Sequence, residues 1–441
     1  MQVRRIGVTA VVAAAATALM GMPSAHAAQV PDPRSDPFYA VPADIGSSAP
    51  GAVLGSRVVS PALFGLIRAR ATGYQLRYRT TDNLGNPTAT LTTVLVPNTP
   101  APAAGKPRPV VSYQEAEDSN SLQCAPSYGL VAGAPVDNPV GQVEMLLIAG
   151  YLAKGDIVVV PDYEGPASLY TVGLMAGHAT LDGIRAAKAF APAGISASAP
   201  VGLVGYSGGA LATEWAAQLQ PSYAPDVKLS AVAAGGVPVN IGHMAPHIDA
   251  SGFLDGIVQN GITGEAKAYP DLVAQASQYI SPTGRAVMRA VNTECNQTVT
   301  ATYAFVPYST MFTVPDPLNS IPQMRQIISA NTLGGATPAK VPTYIYESVN
   351  DEATVPADVD ALVAQDCAAG VPINYQRDIL SEHVVLAITG AFAATTWMQG
   401  TLTGQTRTTG CHTTTSASLL LTGPGAVGLL ALLLGLPAVF G

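Results

Sequence analysis

The sequence predicts an α/β domain, a mostly parallel sheet with helices on both faces, interrupted by a helical insertion. Three observations carry this. Between residues 108 and 238 short apolar runs alternate with helical stretches at close spacing, the pattern of βαβ units. Runs such as Ile157-Val158-Val159-Val160 are apolar throughout, as strands covered on both sides are. After Gly236 the alternation stops, and it resumes only at Val341.

The elements follow in order. Residues 1–28 read as a secretory signal: Arg4 and Arg5, an apolar run, then Ala25-His26-Ala27 as a cleavage site. The mature chain is expected to begin at Ala28 or Gln29, outside the cell. Residues 29–70 read as an N-terminal arm, because Pro, Asp, Ser and Gly dominate its first half. The first part of the core spans 71–239. It opens with a hairpin over 74–97, β-branched and turning at Asn83 to Pro87. "RPVVSYQ" and "DIVVVPDYEG" are short buried strands, and "VEMLLIAGYLAKG" between them is a helix ending at Gly155. The helix "HATLDGIRAAKAFA", the strand "APVGLVGYSGG", the helix "ALATEWAAQLQ" stopped by Pro221, and the strand "KLSAVAAGGVP" follow.

Residues 240–315 read as a helical cap, with "DLVAQASQYI" and "TGRAVMRAV" helical among Pro and Gly. The second part of the core, 316–411, holds the strand "VPTYIYESVND", the helix "ADVDALVAQDCAAG", the strand "PINYQRDIL" and the helix "VVLAITGAFAATTWMQG". The tail, 412–441, ends in an apolar run from Leu419 without a charged side chain. It is close to the roughly 20 residues that cross a bilayer, but Pro424, Pro437 and internal glycines weaken it as a spanning helix. A membrane anchor at the cell envelope, an interfacial segment, a tail packed on the body and a disordered extension are the readings.

Composition excludes some partners. Charged residues are 11% and hydrophobic residues 48% of the 441 residues, with a formal charge of −8. No basic cluster exceeds the pair Arg4-Arg5, so nucleic acid is not expected. The four cysteines, Cys124, Cys295, Cys367 and Cys411, are an even number in an exported chain and predict two disulfides. Spacing alone leaves all three pairings open. Neither metal nor cofactor is expected: no C-x-x-C occurs, and His243-Met-Ala-Pro-His247 lacks the glutamate of a zinc helix.

The chemistry centres on Gly205-Tyr206-Ser207-Gly208-Gly209. A serine is a weak nucleophile until a base takes its proton. A tight turn between strand and helix presents it, and here an apolar strand precedes Ser207 and a helix follows. The N–H of Gly208, the next residue, then faces the oxyanion. Of the six histidines, His383 lies in the loop between the last predicted strand and the last helix. Asp351 directly follows the penultimate strand, whereas Asp358, Asp360 and Asp366 fall in the next helix and Asp378 in the final strand. Glu347 and Glu352 are the fallback acids. The order Ser207, Asp351, His383 is that of the α/β-hydrolase triad. A second oxyanion donor is expected from the loop that starts at Gln114 and reaches Asp118.

The chain resembles the secretory lipase family of α/β-hydrolases. The landmarks are "SYQEAEDSNSLQCAPSY" at 112–128, "PDYEG" at 161–165, "LDGIRAAK" at 181–188, "GYSGGALATEWA" at 205–216, "NDEATVP" at 350–356 and "SEHVVLAI" at 381–388. The resemblance implies a triacylglycerol lipase or esterase acting on a lipid or ester substrate. It implies the triad Ser207, Asp351 and His383, and oxyanion donors on the N–H groups of Asp118 and Gly208. It also implies the pairings Cys124–Cys295 and Cys367–Cys411, and a cap over an acyl tunnel. The apolar tail departs from the flap that family members carry near the site. A short-chain esterase or acyltransferase on the same scaffold is the alternative. A non-catalytic surface protein is the rival of another class, and three triad residues in order count against it.

Overall fold

The computed structural model describes residues 30–99, 105–136 and 139–441. The signal expected at 1–28 lies outside them.

Twelve strands run along the described chain: β1 (Val53–Val59), β2 (Ala62–Leu63), β3 (Ile67–Arg68), β4 (Ala71–Thr81), β5 (Pro87–Pro97), β6 (Val110–Gln114), β7 (Ile157–Pro161), β8 (Val201–Tyr206), β9 (Leu229–Gly235), β10 (Thr343–Ser348), β11 (Ile373–Asp378) and β12 (Cys411–Ser416). Ten form one sheet in the order β1-β4-β5-β7-β6-β8-β9-β10-β11-β12, and β2 pairs with β3 separately. From β7 to β12 all neighbours are parallel, while β1, β4 and β5 join antiparallel at one edge.

Apolar strands keep this sheet sandwiched. Along β7, Val158 and Val160 face one core with the helices Pro139–Ala153 and Ala391–Leu402, while Ile157 and Val159 face another with Gly173–Ala189 and Gly208–Tyr223. Each such side chain contributes about 1.5–3 kcal/mol on burial. The chain leaves β6 toward β7 and later returns to β8 on the other side of β6. Strand order therefore reverses between β6 and β8, and a crevice opens at their carboxyl ends, where α/β sheets hold their ligands.

The structure corrects the sequence reading at four places. The arm is not wholly outside the sheet, because β1 pairs with β4 from Val53 to Val59. Helices of the insertion run from Ile241 to Ala330, beyond the expected limit at 315, before β10 returns to the sheet at Thr343. The helix expected over 384–400 is two, His383–Thr389 and Ala391–Leu402, parted at Gly390, whose α-carbon passes against the Tyr346 ring. Residues 412–441 are no loose tail. Residues Cys411–Ser416 form β12, parallel to β11, and the helix Gly423–Phe440 lies on Pro139–Ala153 and Ala391–Leu402. Thr396 Oγ1 donates to the Pro424 carbonyl at 2.9 Å, and the Arg70 N–H donates to the Val439 carbonyl at 2.7 Å.

Candidate active site

Strand β8 ends at Tyr206 and the helix Gly208–Tyr223 begins at Gly208, so Ser207 alone makes the turn. Its φ of 54° and ψ of −122° lie where a serine is strained. Close packing sets the flanking residues. A Cβ at Gly205 would stand 2.1 Å from the Gly209 carbonyl oxygen, and one at Gly208 would stand 1.8 Å from Asp118 Oδ1. The Ser207 N–H donates to the Gly235 carbonyl at 2.9 Å, which ties the turn to β9.

Two later loops at the same sheet edge meet this serine. His383 Nε2 is 2.9 Å from Ser207 Oγ, and His383 Nδ1 is 2.7 Å from Asp351 Oδ2. A carboxylate only accepts, so Nδ1 carries the hydrogen and Nε2 is left to accept from the serine hydroxyl. Asp351 Oδ1 accepts from the N–H groups of Ala353 and Thr354 at 2.8 and 2.6 Å. Burial favours a neutral Asp351, but the imidazole of His383, Glu347 and the Thr354 N–H outweigh it and hold the carboxyl at about 2. Burial opposes a charged His383; the Asp351 carboxylate overcomes this and raises the imidazole above its ordinary value.

The fallback acids have other places. Glu347 is fully buried, and burial with the adjacent Asp351 charge pushes its carboxyl well up. Its carboxyl accepts from the Val237 N–H at 3.2 Å and the Thr354 hydroxyl at 3.1 Å, and it does not face His383 in the hydrogen-bonded line. Glu352 accepts from the His383 N–H at 2.9 Å. Tyr206 donates from its hydroxyl to the His383 carbonyl at 2.5 Å, and its ring lies 5.1 Å from the imidazole.

On the other side of Ser207 stands the loop after β6. Asp118 has a φ of 49° and is buried. Among the described residues no acceptor meets the N–H of Asp118 or of Gly208. Burial lifts the Asp118 carboxyl to about 7, although the charge of His383 pulls it down. Core and cap hold this loop together. Glu144 accepts from the Ala116 N–H at 2.7 Å, and Asn260 of the cap helix Asp255–Ala268 donates to the Asp118 carbonyl at 2.6 Å. Ser119 Oγ accepts from the Asn296 N–H at 3.0 Å, next to the Cys124–Cys295 disulfide. The second disulfide, Cys367–Cys411, fastens β12 to the helix Pro356–Ala368.

The cap encloses an apolar cavity of about 120 Å³. Ile241, Met244, Ile248, Val258, Phe312 and Ile327 are among its walls. Tyr170 connects it to the serine, for it lines the cavity and its ring lies beside Gly208.

A serine, an imidazole and a carboxylate in one hydrogen-bonded line can carry acyl transfer. The profile of the family described as secretory lipase matches residues 131–410. The chain belongs to the secretory lipase family. It is 37% identical to Lipase A of Arthroderma benhamiae, over 92% of this chain and 87% of that one. It is 36% identical to a probable inactive lipase of Mycobacterium tuberculosis, over 85% and 83%. The crystal structure of Candida antarctica lipase A in its closed state matches with a TM-score of 0.81 at 28% identity, covering 92% of this chain and 96% of that one. The protein is thus a lipase-family ester hydrolase with the α/β-hydrolase fold, acting on lipid or ester substrates and extracellular with its family.

Sequence reasoning missed Asn260 and His247, two cap residues that bond to the loops of Asp118 and Asp351. No local pattern marks either, because each partner lies more than 100 residues away. Tyr206, inside the motif, could have been singled out as a support for His383.

Proposed function

We propose that the enzyme hydrolyses acylglycerol esters through an acyl-enzyme on Ser207. Ser207 Oγ attacks the ester carbonyl carbon while His383 Nε2 takes its proton. The carbonyl oxygen gains negative charge and is held by the N–H groups of Asp118 and Gly208, at the start of a helix whose dipole also favours it. When the tetrahedral centre collapses, the alkoxide leaves and receives the proton from His383. Water then yields a proton to His383, attacks the acyl carbon and releases the fatty acid, and the proton returns to Ser207. Asp351 keeps the imidazole in the required tautomer and stabilises its charged form.

The observation that carries this reading is the pair of contacts at 2.9 and 2.7 Å that joins Ser207, His383 and Asp351. The acyl chain runs past Tyr170 into the cap cavity, whose apolar walls suit a hydrocarbon chain. Hydrolysis of tributyrin and of triolein tests both parts. Both are hydrolysed by the wild type and neither by Ser207→Ala; activity retained in that variant contradicts the assignment.

The tail supports contact with a lipid surface. After Arg407 the chain carries no Asp, Glu, Lys or Arg, and Val427, Leu430, Leu433 and Leu434 are exposed on the helix Gly423–Phe440. This helix meets lipid along its outer face while remaining docked, rather than spanning a bilayer. Leu430→Glu with Leu434→Glu is expected to weaken binding to a phosphatidylcholine-coated triolein emulsion and to leave hydrolysis of soluble esters unchanged. Equal emulsion binding by this double variant contradicts that role.

A further inference from the structure

The histidines of "HMAPH" join the cap to the core, and one of them reaches the turn of Asp351. The short helix Ile241–Asp249 leaves β9 by way of Asn240, whose side chain caps it by accepting from the N–H of Gly242 at 2.9 Å. Its two sides do different things. Ile241, Met244, Ala245 and Ile248 recur at helical spacing and line the cavity. His243 and His247, one turn apart, face the core instead, toward the helix Pro356–Ala368 and the turn that precedes it. His243 Nδ1 lies 3.0 Å from Asp358 Oδ2. His247 Nε2 donates to the backbone carbonyl of Asp351 at 2.9 Å.

That carbonyl belongs to the turn on which the imidazole is hung. Asp351 Oδ2 receives His383 Nδ1, and the next residue, Glu352, receives the His383 backbone N–H. The Asp351 side chain is already held from within by the N–H groups of Ala353 and Thr354. His247 is the hydrogen bond that holds the same turn from the cap, beside the packing of Ala353 among Met244, Ala245 and Ile248. A helix with a cavity on one side and this turn on the other transmits a shift in either direction.

We propose that His247 is a positioning residue for the Asp351–His383 pair, and that an acyl chain filling the cavity raises the rate of acyl transfer through it. This rests on the acyl-enzyme reading above. A long chain packs against Ile241, Met244, Ala245 and Ile248, steadies the helix and so steadies the carbonyl that His247 holds. A short chain leaves that wall unfilled. Chain-length preference then shows in kcat, not only in KM, because the interaction improves alignment for reaction rather than ground-state binding.

The test is a series of p-nitrophenyl esters from butyrate to palmitate with wild type, His247→Ala, His247→Gln and His247→Asn. Rates are referred to active sites titrated with a fluorophosphonate, so that misfolded protein is not counted. The wild type is expected to show a kcat that rises with chain length. His247→Ala is expected to lower kcat on palmitate about tenfold, with KM within about twofold, and to flatten that rise. Gln places an N–H donor as many bonds from its Cα as His Nε2 and is expected to restore most of the rise. Asn is one bond shorter and is expected to behave like Ala. An unchanged profile in His247→Ala overturns the proposal, as does an equal loss at every chain length, a change in KM alone, or failure of Gln to rescue. Labelling of the wild type at Ser207 is scored separately: its absence removes the acyl-enzyme reading, whereas labelling with a silent His247 removes only this inference.

Discussion

The two sides of Ser207 are built in different ways. On one side Asp351 and His383 act through side chains, and the loops that carry them leave strands of the core. On the other, Asp118 and Gly208 offer backbone N–H groups, and cap residues help to hold the loop of Asp118. The first side depends on residue identity. The second depends on where the backbone lies, so its weak points are the residues that pin it, several of them far from the serine in sequence.

The largest effect separating these sides is expected at the relay. His383→Ala removes the base and should lower kcat by roughly 10⁶, leaving only what binding and the N–H groups supply. Asp351→Asn keeps the shape but loses the charge, and about a 10⁴-fold fall is expected. Its pH profile gives the sign. The base works when neutral, and Asp351 raises the His383 pKa, so the acid limb of kcat/KM in the wild type should lie above the ordinary histidine value of about 6.5. In Asp351→Asn the residual activity should show that limb at lower pH. A limb that stays in place would mean that Asp351 does not set the charge on His383.

An intermediate effect is expected on the oxyanion side. Asn260→Ala leaves every reacting group in place but releases the Asp118 carbonyl, and a fall in kcat of about 10- to 100-fold should follow from a displaced donor. Asn260→Ala kinetics at wild-type level would break the comparison, because the loop would then hold its position without the cap.

The smallest effects come from the disulfides, and they sharpen the contrast. Losing either should cost roughly 2–5 kcal/mol of stability, read as a lower denaturant midpoint. Cys124→Ser with Cys295→Ser should also reduce kcat several-fold, since that bridge ties the Asp118 loop to the cap. Cys367→Ser with Cys411→Ser should leave kcat within about twofold while the protein is folded, since that bridge fastens an edge strand. Equal kinetic effects from the two bridges would argue that the cap does not position the donor.

The same difference explains what could be read from the sequence. Strands β6 to β10 are apolar and covered on both faces, so composition alone reveals them. Ser207 and Asp351 follow such strands, and His383 follows β11, so position and residue type are both visible. Strand β12 was missed because it lies at the sheet edge with its side chains almost wholly exposed, so no apolar alternation marks His412 to Ser416. Strand β1 was missed for a related reason: it is an edge strand with Gly55, Ser56 and Arg57 in its middle and a register shift near Val53. The tail was legible as apolar, with docking on the body only one of its readings, because its partners, such as Thr396 and Arg70, reach it only through the tertiary fold. Asn260 and His247 are ordinary polar residues of the cap, and their value lies in long-range contacts that no local pattern encodes.

The account turns on Ser207 being the atom that carries the acyl group and on His383 being what activates it. Mass spectrometry of the enzyme after treatment with a fluorophosphonate that carries a long alkyl chain reads both at once. The account expects one adduct per chain, on the peptide containing Ser207, with labelling slowed by several orders of magnitude in His383→Ala. An adduct on another residue, or labelling of His383→Ala at the wild-type rate, would contradict it.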